Sequence, residues 1–341
     1  MRFMHPTTLL WLFLAVAVSA TPAKAADLPE SVIEALQPGL AAFEKAAARQ
    51  ADQWAKGCTS GKAAALKQAF DATSDAWMAL DPVASGPVTL LFRRERLYLW
   101  PVRRNAVGRA VAGHLAKPAP LPQDPDDFAR LSAALQGLPA LEQLLYAHGD
   151  KAGTPGWCDL GGKAAASVQR IAAELIEGWA DIHAHLDRGE PVPVYFEEAP
   201  ELTNLLYTDL VVGFTRFRDQ RILAMLADDA AKANPGRGEQ ALSDRTLSDL
   251  MLSAQALRAF AEPFLAAMSA DLRAEVTAAL DDLVAQSRAL RGPLDKTLRS
   301  DEGRAAFTAA FNAAGVARKL LVTKGAPALG VVLGFNNLDG D

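Results

Sequence analysis

Metal-ligand chemistry is sparse in these 341 residues: five histidines and two cysteines, with no HExxH, HxxE, CxxC or CxxH spacing among them. A catalytic zinc takes three protein ligands and an open position, so such a centre has no local ligand motif here. His114, His148, His183 and His185 are scattered, and the closest pair, His183 and His185, stands about 200° apart on a helix, so the two imidazoles diverge as surface groups. Basic excess is also missing. Against 40 acidic residues stand 35 Lys and Arg, a formal charge of −5, which argues against sequence-independent nucleic-acid binding. No apolar run reaches the length of about 20 residues that a membrane-spanning helix needs. Period-2 alternation of β-branched residues is absent as well, so strands are not expected. What the chain has in abundance is Ala and Leu at helical spacing, and the expected fold class is all-α.

The first 25 residues read as a cleavable secretory signal: Arg2, an apolar core over Leu9 to Val18, and a small-x-small site at Ala23-Lys24-Ala25. Loss of Arg2 and Lys24 leaves 33 basic against 40 acidic residues, a formal −7. The expected location is therefore the periplasm, with no membrane span and no nucleic-acid partner. An exported chain meets oxidising conditions, so Cys58 and Cys158 are expected to bond; two buried free thiols or a soft metal site are the alternatives.

Helices are expected over Asp27 to Lys56 with an interruption at Pro38-Gly39, over Gly61 to Leu80 ending at Asp81-Pro82, over Val107 to Lys117, over Asp126 to Gln136, and over Lys163 to Leu186 after a Gly-rich loop from Gly149 to Gly162. The acidic, Pro-rich stretch Asp187 to Pro200 reads as a linker between an N-terminal bundle (26–186) and a C-terminal one (201–341). In the second half, Leu202 to Ala227, Leu242 to Met268, Leu272 to Leu290 and Arg304 to Leu321 are expected helices.

One stretch organises the first half: Gly137-Leu138-Pro139-Ala140-Leu141-Glu142-Gln143-Leu144-Leu145-Tyr146. Gly137 permits a sharp turn, and Pro139 suits a first helical turn, where its missing N–H would have had no partner. Leu138, Leu141, Leu144 and Leu145 form the buried stripe, with Glu142 at its edge. Two readings of Glu142 stay open: a carboxylate favoured by the helix N-terminus, or a metal or ligand contact. Upstream, the run from Phe92 to Asn105 carries five arginines. It reads either as a solvated face of weak ion pairs or, at Trp100, Arg103 and Arg104, as an anion-recognition corner.

Gly137 to Glu142 resembles the Gly-x-His-x-x-Glu motif of the imelysin family, bacterial cell-envelope proteins that include a proposed metallopeptidase and several iron-regulated members. Pro139 stands at the histidine position, and proline has no ligand atom. Gly86-Pro87, then Trp100-Pro101 with Arg103-Arg104-Asn105, is similar to a segment of one imelysin-like subgroup. Leu242-Ser243-Asp244-Arg245-Thr246 is similar to its Trp-Arg-Ser-Gly-Arg-Ser stretch with the first arginine gone, and the ending Gly334-Phe335-Asn336-Asn337-Leu338-Asp339-Gly340-Asp341 is similar to its Gly-Phe-Asn-x-x-Asp-Gly-Asp.

The resemblance implies two helical bundles with a site near their junction, in a non-enzymatic periplasmic protein of iron acquisition. Its ligand would be small and anionic or metal-bearing (iron, another divalent metal, or haem), or it would dock an envelope partner. Glu142 would be acceptor or metal ligand, Arg103, Arg104 and Asn105 polar contacts, and Trp100 and Tyr146 the apolar wall; Ser243, Arg245, Asn336 and Asp339 would complete the site. The alternatives are a zinc-dependent peptidase of the imelysin type and an envelope scaffold without a small ligand. Burial of Glu142 away from any cleft would favour the scaffold.

Overall fold

A computed structural model of the protein describes residues 28–58 and 63–334. The expected signal peptide, the expected helix start at Gly61, and Asn336 and Asp339 lie outside the described residues. Within them the regular structure is helical, with one isolated bridge between Val192 and Phe196 and no strand. The longer helices, together with the short α4 that carries Glu142, are α1 (Leu28–Lys56), α2 (Ala63–Met78), α3 (Ala106–Ala116), α4 (Gly137–Glu142), α5 (Pro155–Asp187), α6 (Ala199–Thr215), α7 (Thr246–Phe260), α8 (Ala270–Ala289) and α9 (Asp301–Leu320). None is long and apolar enough to cross a membrane.

Three expectations about helix ends are corrected, each for a packing reason. Pro38-Gly39 does not interrupt α1, which runs through Pro38 and buries Val32, Leu36, Leu40, Phe43, Ala47 and Trp54 on one side. Gly39 serves close packing instead, since a Cβ there would meet Leu80 Cδ2 at 3.0 Å. The Gly-rich loop ends early, because α5 starts at Pro155 and takes in Trp157 and Cys158. The segment from Asp126 to Gln136 splits into a helical turn at Pro125–Ala129 and a 3-10 turn at Ala133–Leu135, each capped by its own side chain, Asp124 and Ser132.

The tightest contact in the first half joins α1 to α5. The Trp54 and Trp157 rings lie 4.6 Å apart, and a Cβ on Gly161 would sit 2.0 Å from the Trp54 ring. Gly161→Ala therefore has to displace an indole inside a packed core, and is expected to cost about 1–3 kcal/mol in urea unfolding. An unchanged midpoint would contradict this packing. Just beyond, Cys58 and Cys158 are disulfide-bonded, fastening the end of α1 to the start of α5.

The two halves share one apolar core. It runs from Phe43, Trp77 and Trp179 to Tyr207, Phe214, Phe264 and Phe307, and α1 packs against α6 and α7 as well as α2 and α5. A polar tie reinforces the junction: the Asp209 carboxylate on α6 accepts hydrogen bonds from the backbone N–H groups of Ala84 (2.8 Å) and Ser85 (2.7 Å) and from Ser85 Oγ (2.9 Å).

Candidate functional site

Gly137 adopts φ +69°, and a Cβ there would lie 2.2 Å from the Leu97 carbonyl oxygen. Only glycine fits that approach, so the chain turns there and enters α4 with Pro139 in its first turn. This short helix ends at Glu142 and passes into a π-helical turn over Gln143–Ala147. Glu142 is buried, and its Oε1 accepts hydrogen bonds from Ser243 Oγ at 2.7 Å and Ser243 N–H at 3.0 Å. Burial pushes its carboxyl above the usual range, against the opposing pull of the Ser243 hydroxyl, the Ser243 and Leu242 N–H groups and Arg245. A residue from before the connector is thus held by one from beyond it.

Glu142 lines a cleft of about 420 Å³. Tyr98, Trp100, Pro139 and Val107 give it apolar walls, and Asn105, Gln143, Gln220 and Gln240 bring amides to it. Its one cationic lining residue is Arg237, which is exposed. Such a lining offers hydrogen-bond acceptors, one carboxylate and aromatic surface. A ligand that matches it carries donors, N–H, O–H or a cationic group, on an otherwise apolar body.

The ten residues singled out in the sequence do not all meet. Trp100, Asn105 and Glu142 line the cleft, and Ser243 stands behind the Glu142 carboxylate. Tyr146 and Arg245 converge instead on Asp71: the tyrosine hydroxyl donates to Asp71 Oδ1 (3.4 Å), and Arg245 Nη1 lies 3.5 Å from the same oxygen. Tyr146 therefore forms no cleft wall; Lys67 covers its ring at 4.4 Å, and burial with Asp71 beside it raises its phenol to about 12. Arg103 and Arg104 are exposed and outside the cleft lining, so the expected anion corner beside Trp100 is not assembled. Arg93, Arg94 and Arg96 are not a solvated face either. They reach Glu174 (2.6 Å), Asp81 with the Val83 carbonyl, and Gln136.

Beneath the cleft lies an ion cluster that the sequence reading missed. Arg221 is 2% exposed. Its Nη1 donates to Asp81 Oδ2 (2.9 Å) and Ser253 Oγ (2.8 Å), its Nε and Nη2 pair with Glu239, and its guanidinium lies 5.5 Å from the Trp100 ring centroid. Burial alone would raise the Asp81 carboxyl, yet Arg221, Arg216 and Arg94 hold it well below the usual carboxylate range. Arg245 bridges outward from the Gln240 side chain to Asp249 and Asp75. One signal was available: Arg221 follows Phe214 and Phe217 at i+7 and i+4, placing a charge on a buried stripe.

Asp249 is fully buried, with Oδ2 unpartnered, and burial with Glu239 nearby drives its carboxyl well above the usual range. A raised value in the folded state means stability present below the unfolded carboxylate pKa and lost as pH rises through the folded one. Asn imitates the protonated form and still accepts from Arg245. Asp249→Asn is therefore expected to raise Tm more at pH 8 than at pH 4; an equal change at both pH values would contradict this.

A resident metal does not fit these residues. Among the described residues no three His, Cys, Asp or Glu side chains gather in a way that could hold an ion; Pro139 supplies no donor, and one oxygen of Glu142 already accepts two hydrogen bonds from Ser243. His183 and His185 point to separate partners, Asp187 and Asp181.

The imelysin family model, that of peptidase M75, matches residues 36–320. The chain belongs to the imelysin family. An imelysin-like protein from Psychrobacter arcticum 273-4 shares the fold with TM-score 0.73 at 18% identity, over 91% of this chain and 98% of that one. A "putative iron-regulated protein A precursor" from Parabacteroides distasonis ATCC 8503 gives TM-score 0.65 at 13% identity, over 89% and 97%. A search of curated proteins returns no match. At these identities the likeness of the imelysin structures to this chain is one of fold.

Proposed function

We propose that this imelysin-family protein is an exported, non-hydrolytic binding protein of iron acquisition, taking up a metal-bearing ligand, haem or a partner's donor group in the cleft beside Glu142. The observation that carries the reading is the Glu142 carboxylate, buried at the cleft wall and oriented by Ser243 from the other half of the chain. A carboxylate that only capped its helix would not need orienting across the molecule. Its place in a cleft weighs against a scaffold without a ligand. The link to iron is supported by the iron-regulated name of one structural relative, and export by the signal-like composition of the first 25 residues and by the disulfide.

The test is elemental analysis of the mature protein, then calorimetry with ferrous, ferric, copper and zinc ions and with haem, repeated on Glu142→Ala. The expected result is no specific binding of the bare ions and saturable binding of haem, weakened at least about tenfold by the substitution, the loss of one charge-assisted contact of about 1.5–3 kcal/mol. Binding that is unaffected by Glu142→Ala would remove the cleft from the account. Absence of binding to all of them would replace the ligand with a partner protein.

A further inference from the structure

The cleft beside Glu142 opens into a second chamber of about 870 Å³. Asn105 and Gln143 from the first half and Gly236, Ala241 and Leu242 from the second line both spaces, so the two meet at a neck between the halves. One face of α3 walls the chamber: Asn105, Gly108, Arg109 and Ala112 recur at i, i+3, i+4 and i+7, and the small Gly108 and Ala112 leave that wall hollow around Arg109.

Two guanidinium groups border this neck. Arg237 lines the cleft and follows Gly236, which lines both spaces; Arg109 lines the chamber one helical turn beyond Asn105, which also lines both. Both arginines are exposed, and neither side chain has a hydrogen-bond or ion-pair partner among the described residues. The side-chain amides of Asn105 and Gln143 are likewise unengaged among the described residues. The negative charge of the chamber is answered or lies elsewhere. Asp295 accepts from Arg299 Nε at 2.8 Å, while Asp244 does not line the cleft and shares a further hollow with Arg288 and Arg291. His148, half-buried in the same lining, adds no negative charge.

A ligand carboxylate set beside Glu142 would force one of the two groups to take up a proton, so that wall disfavours the anionic end of a ligand. Guanidinium groups stay charged and match carboxylate geometry, and carboxamide N–H groups can donate to the same oxygens. We propose that the neck is an anion-recognition element of the site: Arg109 and Arg237, helped by the amides of Asn105 and Gln143, receive the carboxylates of a ligand whose apolar body lies against Trp100 and Tyr98. The proposal rests on the reading of the cleft as a ligand site. Haem fits it, because its carboxylates stand together on one edge of an apolar ring. The anion contacts expected of Arg103 and Arg104 are then made by other arginines, brought to one place from the two halves of the chain.

Absorption titration of the full mature protein with haem and with haem dimethyl ester, whose carboxylates are blocked, tests the proposal in wild type, in Arg109→Gln with Arg237→Gln, and in Glu142→Ala. Wild type is expected to bind haem at least about tenfold more tightly than the ester, the contribution of a charge-assisted contact, and the Gln pair to bind the two equally. Ester affinity should be the same in wild type and the Gln pair, and Glu142→Ala should weaken haem and ester alike. Equal binding of haem and ester by wild type would overturn the neck, a comparison that needs no variant to fold. A preference for haem that survives in the Gln pair would overturn its assignment to these arginines. In both cases an effect of Glu142→Ala would leave the cleft standing, whereas binding of neither compound would overturn the cleft and the neck together.

Discussion

Removing the disulfide, as Cys58→Ser with Cys158→Ser, is expected to lower the unfolding free energy by about 4–5 kcal/mol in the chain-entropy account. The bond closes a loop with a sequence separation of 100, so the reduced chain regains a large share of its unfolded freedom. It also fixes α1 to α5 at the end where Trp54 packs on Trp157 and Gly161. Urea denaturation of the double serine variant, and of wild type under reductant, should both show the lower midpoint. A loss below about 1 kcal/mol would mean that the α1–α5 contact holds without its covalent tie.

Arg221→Met should cost about 3–5 kcal/mol, the penalty for leaving buried charge without its partner. Asp81 and Glu239 both depend on this guanidinium, and Glu239 adjoins Asp249, itself buried. The same loss should be partly recovered when Glu239→Gln is added, because Glu239 has no other cation partner among the described residues, whereas Asp81 keeps Arg94. A double-mutant cycle by urea unfolding measures this. Additive penalties would show that the two residues do not act together. The depressed Asp81 carboxyl gives the pH dependence its sign. The stability it contributes is present above the unfolded carboxylate pKa and is lost as pH falls through and below that range, whereas in Arg221→Met that acid loss should shrink.

Local rules made the helical fold and the start of α4 readable. Gly137 and Pro139 act through their own backbone preferences, and the structure shows the turn they dictate. Pro38-Gly39 shows the limit of the same rules: tertiary packing carries α1 through a proline, and the glycine beside it makes room for Leu80. The arginine run was opaque for another reason. Its partners Glu174, Gln136 and Asp81 lie far off in the sequence, and nothing in a charge run shows which of its members will be buried. At the site, Glu142 and Ser243 were each noticed alone, and only the fold brings them within 2.7 Å. Tyr146 fell away from the cleft because the π-helical turn after Glu142 carries it towards Asp71.

The proposed function turns on whether the cleft recognises its ligand without cutting it. The most direct measurement is proteolysis by the purified mature protein, on a panel of denatured polypeptides, with and without a metal chelator and with Glu142→Ala as control. The account predicts no cleavage above background in any of these. Cleavage that chelation abolishes and Glu142→Ala removes would contradict it.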